Sequence, residues 1–182
     1  MRLETDRLLL RPWLDADRAP FARMVGDPIV MRFYTRTRSR ADADLWIDKM
    51  SQGLADGSSH FLAAEQTRDG AFVGMIGTAS ITHALPGNPR TEIGWIIDRP
   101  FWGKGYAPEG ASAHLDHAWR MRALDEVVAF TFRGNVPSQK VMEKIGMSRD
   151  LHGDFDHPAI APGHPIRPHV LYRIARPAAI SA

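Results

Sequence analysis

The sequence predicts one α/β domain built on a mixed sheet. Strand-like and helix-like runs alternate along 182 residues, near the usual size of one domain. No internal repeat, linker or low-complexity tract divides them. Within Thr91–Met121 a strand passes through a glycine turn into a helix, a unit that belongs to sheets with covering helices.

Arg7–Pro12 reads as the first strand, and Leu14–Val25 has helical spacing with Asp15 and Asp17 near its start, where carboxylates suit the helix dipole. Ser39–Leu54 is the second helix, with Ser39 as N-cap, Asp42 three residues on and Gly53 near its end. His60–Gln66 and Ala71–Thr82 flank a hairpin turn at Asp69-Gly70. A Pro86–Pro89 loop precedes the strand Thr91–Asp98, and Pro108–Met121 is helical. The β-branched and aromatic run Asp125–Phe132 is a strand, and Asn135–Ile145 a helix that Gly146 ends. Four prolines between Asp154 and Pro168 argue against helix or central strand there, and His169–Ala175 is the last strand.

Composition narrows the function classes. With no cysteine, disulfides, thiolate catalysis and Cys-zinc sites are excluded. The net charge is only +2, and the densest basic stretch, Arg32–Arg40, reads as a solvated loop; no nucleic-acid arm is expected. No apolar run approaches the ~18–20 residues of a membrane span. The charged start MRLETDR is not a signal peptide. The expectation is a soluble cytoplasmic protein without membrane partners.

The segment that carries chemistry is Glu92–Trp119. Gly103 and Gly105 permit a tight turn, and the helix behind them leaves N–H groups unpaired, which makes an anion site. A Walker loop is absent, and Pro108 stands where a dinucleotide fingerprint needs its third glycine. Thirty residues after Gly105 comes Asn135-Val-Pro-Ser138, directly after a strand and opening a helix.

This combination resembles the GNAT acetyltransferase superfamily over about residues 3–150. The opening Thr5-x-Arg-Leu-x-Leu-Arg-Pro12 and the stretch Glu92-Ile-Gly-Trp-Ile-Ile-Asp98 resemble its Rim branch of ribosomal-protein N-terminal acetyltransferases. The superfamily signature [Q/R]-x-x-G-x-[G/A] falls on Trp102–Ala107, with Trp102 departing at its first position. The resemblance implies a mixed sheet with a splayed strand pair and flanking helices, and acetyl-CoA as co-substrate without a metal. It implies the pyrophosphate on the amides of Gly103, Lys104, Gly105, Tyr106 and Ala107. The pantetheine would run along Ile96 and Ile97 with Asn135 as a further contact. Glu92 would be the base and Ser138 would protonate the thiolate. Phe33 and Tyr34 would line the acceptor pocket.

The acceptor is expected to be a small amine or a protein N-terminus, attacking the thioester directly in a ternary complex. Homodimers are common in the branch, though no residue pattern here requires one. A sensor domain that binds acyl-CoA without turnover is the alternative. Lys144 is a candidate for the 3′-phosphate. His114 and His117 flank a core stripe on one helix, and His157, His164 and His169 read as loop histidines, since their spacing fits no zinc pattern.

Overall fold

Leu8 and Leu10 are fully buried and Leu9 nearly so, as both faces of a strand covered on two sides must be. In the computed structural model, which describes residues 1–122 and 124–178, they lie in β2 (Leu8–Arg11), after β1 (Leu3–Glu4). The remaining strands are β3 (Leu62–Gln66), β4 (Phe72–Ser80), β5 (Thr91–Ile97), β6 (Glu126–Phe132), β7 (Ser148–Asp156) and β8 (Pro168–Ala175). The helices are α1 (Arg18–Gly26), α2 (Arg40–Asp56), α3 (Tyr106–Met121) and α4 (Val136–Lys144). Ala123 and residues 179–182 of the expected 1–182 domain lie outside the described residues.

The strands form a sheet in the order β1-β2-β3-β4-β5-β6-β8-β7. Every neighbouring pair is antiparallel except β5 and β6, which run parallel with α3 as their crossover. The expected mixed sheet and flanking helices are therefore present. One apolar cluster joins α3 and α4 to the sheet through Ile76, Ile93, Leu115, Trp119 and Val127. The other joins α1 and α2 through Phe21, Met24, Ile47, Met75 and Ile96. Among the described residues no helix is long and apolar enough to cross a membrane.

Local chemistry sets the helix ends. Ser39 Oγ accepts from the Asp42 N–H and Asp42 accepts from the Ser39 N–H, both at 3.1 Å, a reciprocal cap. α2 then runs past Gly53 to Gly57, whose φ of 77° ends it. Gly53 is an interior residue because a Cβ there would lie 2.5 Å from Ser59 Cβ. α3 starts at Tyr106, ahead of Pro108, which is tolerated because first-turn N–H groups have no helical acceptor.

The sequence reading missed β7. Its exposed, polar run Ser148–Asp156 lacks apolar alternation, and its register against β8 slips between Asp150 and Phe155. It holds the sheet edge, where such a strand is tolerated. β8 lies inside the sheet, with Pro168 at its first position.

Arg11 ties the first strand to its surroundings. Its guanidinium meets Asp17 at 2.7 Å and Glu65 at 2.6 Å, and Asp17 is only 2% exposed. Arg11→Met should leave Asp17 buried without its cation and destabilise the fold by about 3 kcal/mol. Urea unfolding of the variant checks this; an unchanged midpoint would show that the bridge adds nothing.

Candidate active site

β5 and β6 share a single ladder pair, Glu92 with Val128, so the parallel strands part toward their C-terminal ends. The hydrogen-bonding direction of β5 follows from its antiparallel side. Ile81 N–H bonds Arg90 O at 2.9 Å and Asp98 N–H bonds Val73 O at 2.8 Å, in the same register as the pair Met75–Ile96. Bonding pairs alternate along such a ladder, so Ile96 turns its amide to β4, while Trp95 and Ile97 turn theirs to the gap. Of the two isoleucines expected to meet a ligand through backbone, only Ile97 presents its amide there. Trp95 was missed because direction depends on register.

The gap opens into a cleft of about 1290 Å³. Its wall includes Glu92, Ile96, Ile97, Gly103, Gly105, Tyr106, Ala107, Asn135 and Ser138, and on the other side Phe33 and Tyr34. Lys144 also lines it, whereas Lys104 does not. The Lys104 carbonyl is turned away to accept from Arg7 Nη1 at 2.9 Å.

Gly103 and Gly105 have φ of 72° and 84°, so the turn needs residues without a Cβ. The first bond leading into α3 runs from Glu109 N–H to Gly105 O, 3.2 Å. The N–H groups of Gly103–Ala107 precede it and are available to an anion beside the positive helix end. A brace from the chain start fixes this turn. Glu109 accepts from Thr5 Oγ1 at 2.6 Å and from Arg7 Nε at 2.7 Å, and Arg7 lies over the Tyr106 ring at 4.7 Å.

Trp102 replaces the Gln or Arg of the signature with another contact. Its indole N–H donates to Ile97 O at 2.7 Å, and the Arg32 guanidinium is sandwiched between the rings of Trp102 and Phe33, at 4.7 and 4.5 Å. Asn135 caps α4: its Oδ1 accepts from Ser138 N–H at 3.3 Å and its amide donates to Thr131 Oγ1 at 2.9 Å. The Ser138 hydroxyl has no hydrogen-bond partner among the described residues.

Glu92 also lacks a hydrogen bond or ion pair among the described residues. Burial without a cation pushes its carboxyl up to about 7. Tyr34 is 41% exposed and so reachable from solvent, yet crowding of its hydroxyl, followed by the Glu92 charge, pushes it up to about 12.

Two of the tail histidines, expected to be loop residues, line the cleft: His157 and His169, joined by His83 and Phe130. His164 does not. His114 lies within the buried core face of α3 rather than flanking it, with Nε2 3.2 Å from Thr78 Oγ1.

A glycine turn with available N–H groups at the mouth of a strand gap, with a buried carboxyl in the same cleft, is an arrangement suited to an acyl-CoA-dependent transferase. The chain belongs to the acetyltransferase (GNAT) domain family, whose model matches residues 7–148. It is 33% identical over 147 residues to the uncharacterized protein YkkB of Bacillus subtilis, covering 80% of this chain and 84% of that protein. The crystal structure of a GNAT-family acetyltransferase from Bacillus anthracis superposes with a TM-score of 0.79 at 26% identity, covering 97% and 99% of the two chains. RimL, a ribosomal L7/L12 alpha-N-protein acetyltransferase in complex with coenzyme A, shares the fold with a TM-score of 0.78 at 13% identity, over 96% and 98%. The protein is thus an enzyme that transfers an acyl group from acetyl-CoA.

The Glu92 carboxyl has a stability consequence. Between its ordinary value of 4.5 and about 7, the folded chain holds a proton that the unfolded chain releases. The associated stability is fully present below 4.5 and is lost as pH rises through 7. Glu92→Gln should therefore stabilise the protein by roughly 1–3 kcal/mol at pH 8 and by almost nothing at pH 4. Thermal unfolding at both pH values reads the difference; equal shifts would remove the raised pKa.

Proposed function

We propose that the enzyme acetylates a primary amine by direct attack in a ternary complex, with Glu92 as base. The observation that carries this reading is the buried Glu92 carboxyl, with no hydrogen bond or ion pair among the described residues, at the one ladder pair that β5 and β6 share. There it stands between the donor gap and the Phe33–Tyr34 side of the cleft.

In this reading the CoA pyrophosphate lies on the amides of Gly103, Gly105, Tyr106 and Ala107. The pantetheine extends along Trp95 and Ile97 as an added strand, with Asn135 at its side. The N–H of Trp95, the gap-facing amide nearer Glu92, is the donor suited to the thioester oxygen as negative charge develops there, while Ile97 lies toward the phosphate end. The acceptor arrives as an ammonium and gives its proton to Glu92. The amine nitrogen bonds the carbonyl carbon and sheds its second proton to solvent, the C–S bond breaks, and the leaving thiolate takes a proton from Ser138, whose hydroxyl has no partner among the described residues. Solvent restores that proton. Holding amine and thioester together supplies much of the rate.

A protein N-terminus and a small amine both fit this chemistry. The Rim-branch motifs at Thr5–Pro12 and Glu92–Asp98 favour the former. RimL acts on a protein N-terminus, but at this identity it lends fold rather than substrate. A thiol-release screen over small amines and N-terminal peptides separates them, and release with none would favour the sensor alternative.

Three outcomes are expected. Gly105→Glu puts a carboxylate on the anion cradle and should abolish acetyl-CoA binding by calorimetry; retained affinity would remove the phosphate assignment. The kcat/KM of the wild type should rise with pH through about 7, following Glu92, and Glu92→Gln should lose that step and most turnover while keeping donor affinity. Ser138→Ala should slow thiol release roughly 10- to 1000-fold.

A further inference from the structure

The acceptor side of the cleft has a wall that donor chemistry leaves unused. The apolar cluster under α1 and α2 draws on β3, β4 and β5 and on nothing from β6 to β8, so that half of the same sheet face is open to the cleft. Four rings stand on it. Phe130 comes from β6, His169 from β8, His157 from the chain just after β7 and His83 from the loop after β4. The His157 and His169 centroids are 4.9 Å apart, His83 and His157 5.2 Å, Phe130 and His157 5.8 Å, and Phe130 and His83 5.9 Å. Phe155 packs against Phe130 and His169, each at 5.7 Å. The wall is a contiguous cluster of rings, tilted or edge-on to one another.

Its charge is as informative as its shape. Burial holds His157 down at about 4 and lowers His169, so both are neutral at physiological pH. The carboxylates lining the cleft are Glu92 and Asp56, whereas Arg32, Arg38, Lys49, Lys140 and Lys144 line it as cations. A polycation would meet repulsion and one buried carboxyl. A single ammonium would find Glu92 as the buried one of the two carboxylates.

Register fixes the spacing. Glu92 pairs with Val128, and Phe130 is two residues further along β6 on the same face. Two residues of rise together with the spacing between neighbouring strands set the Phe130 backbone about 8 Å diagonally from Glu92, within reach of a short carbon arm between an amine and a ring.

We propose that the acceptor is an arylalkylamine, its amine at Glu92 and its flat, uncharged ring against the His83–Phe130–His157–His169 wall. This rests on the acyl-transfer reading in which Glu92 receives the acceptor's proton. An N-terminal aromatic residue of a peptide carries the same chemistry as a free arylalkylamine.

The test compares 2-phenylethylamine with 2-cyclohexylethylamine, similar in size but without a π system, and with spermidine. Binding to the CoA-saturated protein is measured by calorimetry, and kcat/KM by thiol release. The aromatic amine should lead its saturated analogue by roughly 3- to 10-fold in both. Phe130→Leu and His157→Leu should each bring the ratio near one while acetyl-CoA affinity is kept, which also verifies folding. Equal binding of the two amines, or preference for spermidine, overturns the proposal. Preferential aromatic binding without thiol release supports the ring wall and overturns only the role of Glu92. Peptides headed by Phe and by Ala, run alongside, identify the source: a Phe-headed peptide outpacing 2-phenylethylamine assigns the wall to a protein N-terminus.

Discussion

A sheet that stopped pairing midway would normally leave polar backbone without partners. Here that interruption is the constraint on which the rest depends. β5 and β6 touch at Glu92 and Val128 and then separate. The parting exposes the backbone of Trp95 and Ile97 while β4 keeps the other edge of β5 fully paired. It also directs the chain into the Gly103–Gly105 turn at the mouth of the gap. In the proposed binding mode a strand-like ligand arm and a phosphate end would be served by one continuous stretch of main chain.

Such a gap needs bracing, because nothing inside it bonds the strands together. Thr5 and Arg7 converge on Glu109 in the first turn of α3, and Arg7 also reaches the Lys104 carbonyl. The opening motif thus acts on the turn a hundred residues later by fixing the helix that carries it. Trp102 braces the other side through Ile97 O, and its ring continues through Arg32 to Phe33. At the position where the family signature has Gln or Arg, Trp102 links the glycine turn to Phe33 through Arg32.

Much of this was legible in the sequence because it is written in local chemistry. The Ser39–Asp42 cap, the Gly103–Gly105 turn, the Asn135 cap and the β-branched run of β6 each declare themselves within a few residues. What stayed hidden depends on distant partners. Gly53 lies near the helix end as expected, but its reason for being glycine is Ser59, beyond the helix, which local sequence does not show. β7 has no apolar period because it lies at an edge. The choice of Trp95 and Ile97 over Ile96 depends on register with β4, which composition does not encode. His83, Phe130, His157 and His169 lie far apart in sequence and meet only because β8 inserts between β6 and β7.

The solitary carboxyl of Glu92 bears on how a catalytic cycle ends. An ammonium entering beside it gains a counter-charge in a place poor in water, and the carboxyl is relieved of its isolation. Acetylation converts that ammonium to an amide, which has no charge to offer. In the proposed mechanism the attraction that draws the acceptor in is therefore consumed by the reaction itself, and the product is held more weakly than the substrate was.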